Sequence, residues 1–251
     1  MQESIKYYLS ISIIIPVLNE EEGIIRAVNH LSKVQDDSVL EIIVVDGNHK
    51  GNTVLFLRDR KVITIKSEKG RARQMNSGAK RARGDILLFL HADTFLPDNA
   101  FEQIINVIKT GKYVGGAFNL GFDSKRWVFK LIAAVASMRS RITRIPFGDQ
   151  AIFIKRSYFE KIDGFSDIPL MEDLELMKRI RRRGPPIYIT PLKVTTSARK
   201  WEEGGVIYTT LRNWLVQFFY FCGVSPEKLV GYYYKQSLPR SFNKGELTIR
   251  K

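Results

Sequence analysis

Three places in this chain put carboxylates where they could do chemistry. Asp46 ends the apolar run Ile42-Ile43-Val44-Val45. Asp93, with His91 two residues before it, follows the run Ile86-Leu87-Leu88-Phe89-Leu90. Glu172 and Asp173 head a segment with helical periodicity. If the chain stays extended past Leu90, His91 and Asp93 point to the same side. An imidazole and a carboxylate so placed could hold a divalent cation, and the cation could hold a diphosphate. The plainer alternative is a strand end at which Asp93 caps the next turn and His91 is merely packed.

The elements that must position these groups alternate. Residues 11–17 are β-branched and apolar, a buried strand whose end is marked by Pro16. Asn19 can cap the helix that follows, with Glu20, Glu21 and Glu22 suited to its positive first turn and Ile24, Ile25, Val28 and Leu31 at helical spacing. Residues 41–45 form a second strand, the turn-rich loop 47–52 follows, residues 53–60 read as a short helix and 62–65 as a weaker strand. Residues 70–83 form a basic amphipathic helix, with Arg71, Arg73, Lys80, Arg81 and Arg83 set against Ala72, Met75, Ala79 and Ala82. Such a cationic face is often no more than a solvated surface. The run 86–90, opened by Gly84-Asp85, reads as a strand buried on both faces. Strand and helix alternating in this way make a parallel sheet with crossovers on its faces. The carboxyl ends of its strands face one cleft, so Asp46 and Asp93 are expected to share it.

Further on come a helix begun by Pro97-Asp98 with Phe101, Ile104, Ile105 and Ile108 as its apolar positions, a strand over 115–120, an apolar helix from Trp127, a strand over 151–155 and a helix over 158–162. A helix opening at Met171-Glu172-Asp173 runs to Arg183 and is stopped by Gly184 and Pro185-Pro186. A last strand covers 187–189, and 197–201 reads as a polar loop. One helix is expected from Val206 to Tyr234, then a frayed polar end. The expected division is a domain over 10–205, a helical C-terminal extension over 206–236 and a flexible tail over 237–251.

Composition narrows the function. With 44% hydrophobic and 26% charged residues the chain can build a core and is not a disordered one. A single cysteine, Cys222, excludes an internal disulfide and cysteine-based metal sites. Forty Lys and Arg against 26 Asp and Glu give a net charge of +14, a surface that attracts phosphate on nucleotides, nucleic acid or anionic lipid. Neither zinc-finger spacing nor an RNA-recognition motif is present, so nucleic acid is not the expected partner. No segment reaches the roughly 18–20 apolar residues that span a bilayer. Residues 127–135 and 214–224 are apolar and flanked by Lys or Arg, which suits core helices or helices lying in a membrane interface. Residues 1–10 lack the pattern of a signal peptide. The expected location is cytoplasmic, with peripheral contact to the anionic inner face of the cell membrane.

Four motifs together carry a resemblance: Ser12-Ile13-Ile14-Ile15-Pro16-Val17-Leu18-Asn19-Glu20, Val44-Val45-Asp46-Gly47, the strand ending His91-Ala92-Asp93, and Met171-Glu172-Asp173. In this order, each at a strand or helix end, they resemble a family-two glycosyltransferase of the GT-A fold. Gly70-Arg71-Ala72-Arg73-Gln74-Met75-Asn76, Phe89-Leu90-His91-Ala92-Asp93-Thr94 and Phe147-Gly148-Asp149-Gln150 are similar to the bacterial radical-SAM/selenodomain-associated transferases. That subgroup is itself likened to carotenoid (diaponeurosporenoate) glycosyltransferases.

The resemblance implies an α/β fold: a single GT-A (Rossmann-like) domain with a mostly parallel central sheet flanked by helices, plus the helical extension. It implies an inverting, metal-dependent transferase. The sugar would pass from a nucleotide-diphosphate sugar to an acceptor hydroxyl or carboxyl, and aromatic-rich helices hint at a lipid-like acceptor. Pro16, Val17 and Glu20 would cradle the nucleoside, Asp46 would bond its base, and Arg71 and Asn76 would belong to the same nucleotide site. Asp93, with His91, would bind Mn2+ or Mg2+. Asp173 would be the general base, supported by Glu172. Arg199 and Trp201 would close over the diphosphate or acceptor, where Asp149 and Gln150 would also lie.

Two departures from the family pattern bear on these roles. His91 stands where the wider family has an Asp; imidazole suits Mn2+ better than Mg2+ and could instead bond the sugar or ribose. Gly51 stands where a loop Asp is usual. The second departure keeps open a catalytically impaired relative acting as a basic membrane-surface or nucleic-acid-binding module. A nucleotidyltransferase would show a basic Gly-rich loop after the first strand, whereas Leu18-Asn19-Glu20-Glu21 is acidic.

Overall fold

The computed structural model describes residues 8–48, 53, 56–57 and 61–235. Its centre is a seven-stranded sheet. In chain order the strands are β1 (Ile11–Val17), β2 (Val39–Asp46), β3 (Ile63–Lys66), β4 (Ile86–Phe89), β6 (Gly115–Asn119), β7 (Phe153–Lys155) and β8 (Ile187–Lys193). A separate small sheet pairs β5 (Thr94–Phe95) with β9 (Thr195–Thr196). The large sheet has the spatial order β3-β2-β1-β4-β7-β6-β8. β7 runs antiparallel to both its neighbours and the other adjacent pairs are parallel. The unbroken apolar runs become its middle: Ile13 sits beside Ile42 on one side and Leu88 on the other, and all three are buried.

Helices cover the sheet: α1 (Glu21–Val34), α2 (Arg71–Arg81), α3 (Ala100–Lys109), α4 (Trp127–Thr143), α5 (Arg156–Lys161) and α6 (Glu172–Arg183). Ile24, Val28 and Leu31 of α1 and Phe101 and Ile104 of α3 enter one core cluster with Ile13, Ile15 and Leu88. α2 packs on β1 and β2. Its buried Gln74 donates to the carbonyls of Val17 (2.7 Å) and Val45 (2.8 Å), fastening the carboxyl ends of two strands to one helix.

The described residues fall into two compact units that part between Ala198 and Arg199, with Ile168–Met171 grouped with the second. The second unit holds α7 (Arg199–Gly204), α8 (Val206–Phe221) and α9 (Pro226–Lys235). Within it the Arg212 guanidinium lies 4.7 Å from the Tyr233 ring centroid, and Lys200 bonds the Tyr233 hydroxyl.

Several expectations need correction. The single helix expected over 206–234 is two, because Gly223 takes a left-handed φ of 90° and Pro226 opens the next helix. The loop expected at 197–201 is helical from Arg199. The last strand extends past Ile189 to Lys193. Asn19 does not cap α1; Glu20 occupies that position, and Asn19 has a φ of 55° and accepts a bond from Asn48. The helix expected over 53–60 and the Gly51 loop lie largely or wholly outside the described residues. Among the described residues no helix is long and apolar enough to cross a membrane.

Candidate active site

The strand order reverses between β1 and β4, where successive strands leave to opposite sides. Open α/β sheets bind ligands at the carboxyl ends of strands around such a point. Pro16 and Val17, at the end of β1, sit in register with Val45 and Asp46 of β2. Asp46 is buried; its Oδ1 accepts the Asn48 backbone N–H at 2.9 Å, and among the described residues its Oδ2 has no hydrogen-bond partner. A buried carboxylate oxygen without a donor is costly and calls for one.

Glu20 is brought to the neighbouring strand. A Cβ built on Gly23, in the first turn of α1, would lie 3.2 Å from Glu20 Oε2 and 3.5 Å from the Ala92 carbonyl. The loop after β1 and the chain after β4 therefore meet above the start of α1.

Past β4 the chain does not stay extended. The Thr94 N–H donates to the His91 carbonyl at 3.1 Å, closing a turn, so the premise that put His91 and Asp93 on one side fails. The turn is anchored from the far end of the first unit. The Asp93 carbonyl accepts the Ser197 N–H at 3.1 Å, and the Thr94 and Thr196 hydroxyls bond at 3.1 Å.

His91 instead meets the start of α6 through Gly148. The Gly148 N–H donates to Asp173 Oδ2 at 2.6 Å. A Cβ at Gly148 would sit 2.9 Å from His91 Nε2 and 3.3 Å from Asp173 Oδ2, so only a glycine lets the three pack this closely. Asp173 stands at the positive end of α6, and its Oδ1 accepts the Leu174 N–H at 2.7 Å.

Around this contact the charges are dense. Asp149, next to Gly148, has its pKa raised to about 6, first by burial and then by the negative charges of Asp173 and Asp93, with Arg139 and Arg71 opposing. Glu172 is buried, and its pKa is raised to about 7 by desolvation and by Asp173, again against Arg71. Arg139 comes from α4 with its guanidinium 3.4 Å from the Phe147 ring centroid. Burial lowers its pKa to about 10, while Asp149 and Asp173 hold it up.

Most of the expected residues converge here: Asp93, His91, Asp149, Glu172, Asp173 and Arg71 at the end of β4, with Glu20 and Asp46 at the ends of the neighbouring elements. Two have their amides taken up by structure. Asn76 exchanges two bonds with the Phe165 backbone, at 2.8 and 2.9 Å. Gln150 bonds the Phe118 carbonyl, the Phe147 N–H and the Ser140 hydroxyl, and so ties β6, α4 and the turn Gly148–Gln150 together. Arg199 and Trp201 belong to α7 of the second unit. Sequence reasoning missed Arg139, one cation among several on an apolar helix. Its four-residue spacing from Val135 continues the row of Trp127, Leu131 and Val135, so nothing in the local pattern set it apart.

Among the described residues no three His, Cys, Asp or Glu side chains are gathered into a ready-made metal cage. The site offers something looser: Asp173 and Asp93 place negative charge beside Asp149, and Asp173 beside Glu172, a concentration of charge that a cation would relieve. Asp93 fits a divalent ion as an oxygen donor within that group.

The sequence profile of Glycosyl transferase family 2 matches residues 12–165, which runs from β1 through the acid cluster at Asp149. The chain belongs to this family. This family-2 chain is 29% identical over 144 residues to the dolichol-phosphate mannosyltransferase of Pyrococcus furiosus, covering 53% of the chain and 41% of that protein. It is 27% identical over 241 residues to the probable glycosyltransferase YdaM of Bacillus subtilis, covering 80% and 52%. The chain thus spans about half the length of these curated relatives. Among solved structures it is similar to the mannosyltransferase PcManGT of Pyrobaculum calidifontis in complex with GDP-Man and Mn2+, at a TM-score of 0.62 and 20% identity over 91% of this chain and 70% of that one. It is also similar to GalNAc-T7 with UDP, GalNAc and Mn2+, at 0.58 and 16% over 76% and 44%. These likenesses show a GT-A-like α/β fold for the family-2 chain.

Proposed function

We propose that this chain transfers a sugar from a nucleotide-diphosphate sugar to an acceptor hydroxyl or carboxyl with inversion at the sugar carbon. The observation that carries this reading is the convergence of Asp93, Asp149, Glu172 and Asp173 with Arg71 and Arg139 at the end of β4, beside Asp46 with its unpartnered oxygen. Family membership supports the donor class, as do the nucleotides and Mn2+ held by proteins of the same fold.

Asp46 Oδ2 is available to accept a donor from the nucleotide base, while Pro16, Val17 and Glu20 line the strand-end loop beside it. Arg71 presents a cation toward the diphosphate. Asp93 would hold Mn2+ or Mg2+, and the bound metal would neutralise charge on the departing diphosphate. Asp173 takes the acceptor proton on Oδ2 as the acceptor oxygen bonds the sugar carbon and the carbon–phosphate-oxygen bond breaks; the nucleoside diphosphate leaves. Gly148 fixes that oxygen through its N–H. His91, packed against Gly148, is placed to bond the sugar or the acceptor. Glu172, its pKa raised to about 7 by burial and by Asp173, carries less than a full negative charge beside the base near neutrality. A single base opposite the leaving group is what supports inversion.

The resemblance of residues 70–76, 89–94 and 147–150 supports a finer placement, among the radical-SAM/selenodomain-associated transferases, and the aromatic-rich helices support a lipid-like acceptor. A thermal-shift screen of nucleoside diphosphates and sugar nucleotides with Mn2+ and Mg2+ tests the donor and metal together, because a ligand of the folded state raises Tm. At least one nucleotide should raise Tm more with metal than with chelator. No shift from any nucleotide rejects the donor class, and equal shifts in metal and chelator reject the role given to Asp93.

A further inference from the structure

Helix α4 carries an apolar face that points out of the protein. Trp127 is 74% exposed, Leu131 53%, Met138 59% and Ile142 75%, with Val135 also exposed. At about 3.6 residues per turn these five positions form one continuous stripe along the helix. The opposite side is the packed one: Phe129, Ala133 and Ser140 are buried, and Arg139 turns inward onto Phe147. A stripe this long on a surface is beyond the scattered apolar exposure of an ordinary soluble face.

Charge says what would cover it. From Ser124 to Gly148 the chain has no Asp or Glu and six cations: Lys125, Arg126, Lys130, Arg139, Arg141 and Arg144. Lys125 and Arg126 precede the stripe, Arg144 follows it, and Lys130 and Arg141 fall along one edge on the helical wheel. An apolar stripe edged by long cations is the arrangement of a helix lying in a membrane interface, its side-chain stems in the acyl region and its charges at the headgroups. A second copy of the chain would bring the same cations face to face. Helix α8 also exposes apolar residues, among them Ile207, Leu211 and Phe218. Its single cation, Arg212, is buried, so it lacks the edging.

We propose that α4 docks on a bilayer surface containing anionic lipid, with the Trp127–Ile142 stripe inserted and Lys130 and Arg141 at the phosphates. This stands independently of the glycosyl-transfer reading. Five residues separate Ile142 from Gly148, so if both hold, the docked helix leads directly into the site and the acceptor is one carried by the bilayer.

The test is sedimentation of the full chain with vesicles of phosphatidylcholine alone and of phosphatidylcholine with phosphatidylglycerol. It is run for the wild type, for Leu131→Asp/Met138→Asp, and for Lys130→Gln/Arg141→Gln. All four positions are outside the catalytic group, and matched melting curves check folding. Binding to anionic vesicles should exceed binding to neutral ones. It should fall about tenfold or more in the Asp pair and about fivefold per cation in the Gln pair at low salt. Trp127 should shift its emission to the blue on binding, a change absent in Trp127→Phe. Binding that is equal on both vesicles, or unchanged in the Asp pair, overturns the proposal. So does a concentration-dependent dimer in lipid-free light scattering that the Asp pair abolishes, since a second copy would then be the occupant.

Discussion

The Gly148 N–H donates to Asp173 Oδ2 at 2.6 Å, across 25 residues of chain. The carboxylate placed as the base is therefore aimed from a loop and not only by its own helix. His91 closes the other side of the same glycine, 2.9 Å from where a Cβ would stand. Gly148→Ala should displace His91 or Asp173 by a few tenths of an ångström or more. Turnover should fall on the order of 10²-fold, as small misplacements at reacting groups do. Donor KM should stay near the wild-type value, because the residues proposed for the nucleoside, Pro16, Val17 and Asp46, lie at the ends of β1 and β2. Steady-state kinetics on the variant checks both parts, and a rise in KM with unchanged kcat would contradict this placement.

Asp149 and Glu172 make stability depend on pH with a definite sign. Both pKa values rise on folding, to about 6 and about 7. A carboxyl whose pKa rises on folding binds more protons in the folded state. Its contribution is complete below the ordinary carboxylate pKa of about 4 and is lost as pH rises through its folded value. At pH 7.5 the ionised Asp149 is a cost, and Asp149→Asn should stabilise the metal-free protein by about 1–3 kcal/mol. By pH 4 the difference should vanish. Denaturant melts of the two proteins at both pH values measure it, and a pH-independent difference would count against the charge cluster.

Arg139 holds the Asp149 pKa down. Removing its charge in Arg139→Gln should push Asp149 further up. The fall of stability with rising pH should then extend to higher pH in the variant, read by the same denaturant melts. A loss of stability equal at every pH would mean that Arg139 acts only through its packing on Phe147.

How much of this was legible beforehand depends on the physics of each element. β1, β2 and β4 are buried on both faces, so their apolar runs and terminal acids stand out in the sequence. β5 and β9 are two residues long and exist only because Thr94 and Thr196 meet. No local pattern announces such a pair. The turn at His91 was hidden for the same reason, since a strand end and a turn share the same residue types. The bonds of Asn76 were hidden in another way: its partner, Phe165, lies 89 residues on. Arg139 could be seen as a cation but not as one facing acids, which requires knowing where the loop at Asp149 goes.

Gln74 shows that same long-range dependence as stability. Its two bonds satisfy the Val17 and Val45 carbonyls at the strand ends, and the side chain is buried. Gln74→Ala should remove one donor from each carbonyl, Val17 keeping the Gly47 N–H, and cost about 1–3 kcal/mol. Chemical denaturation reads this directly, and a loss well below 1 kcal/mol would show that the carbonyls find other partners.

Asp173→Asn is the substitution on which the central claim turns. The amide keeps an oxygen to accept the Gly148 N–H but cannot take a proton from an acceptor. With Mn2+ and the sugar nucleotide that gives the largest thermal shift, release of nucleoside diphosphate should fall about 10²–10⁴-fold. The thermal shift itself should persist. Wild-type release by Asp173→Asn would contradict the assignment of Asp173 as the base.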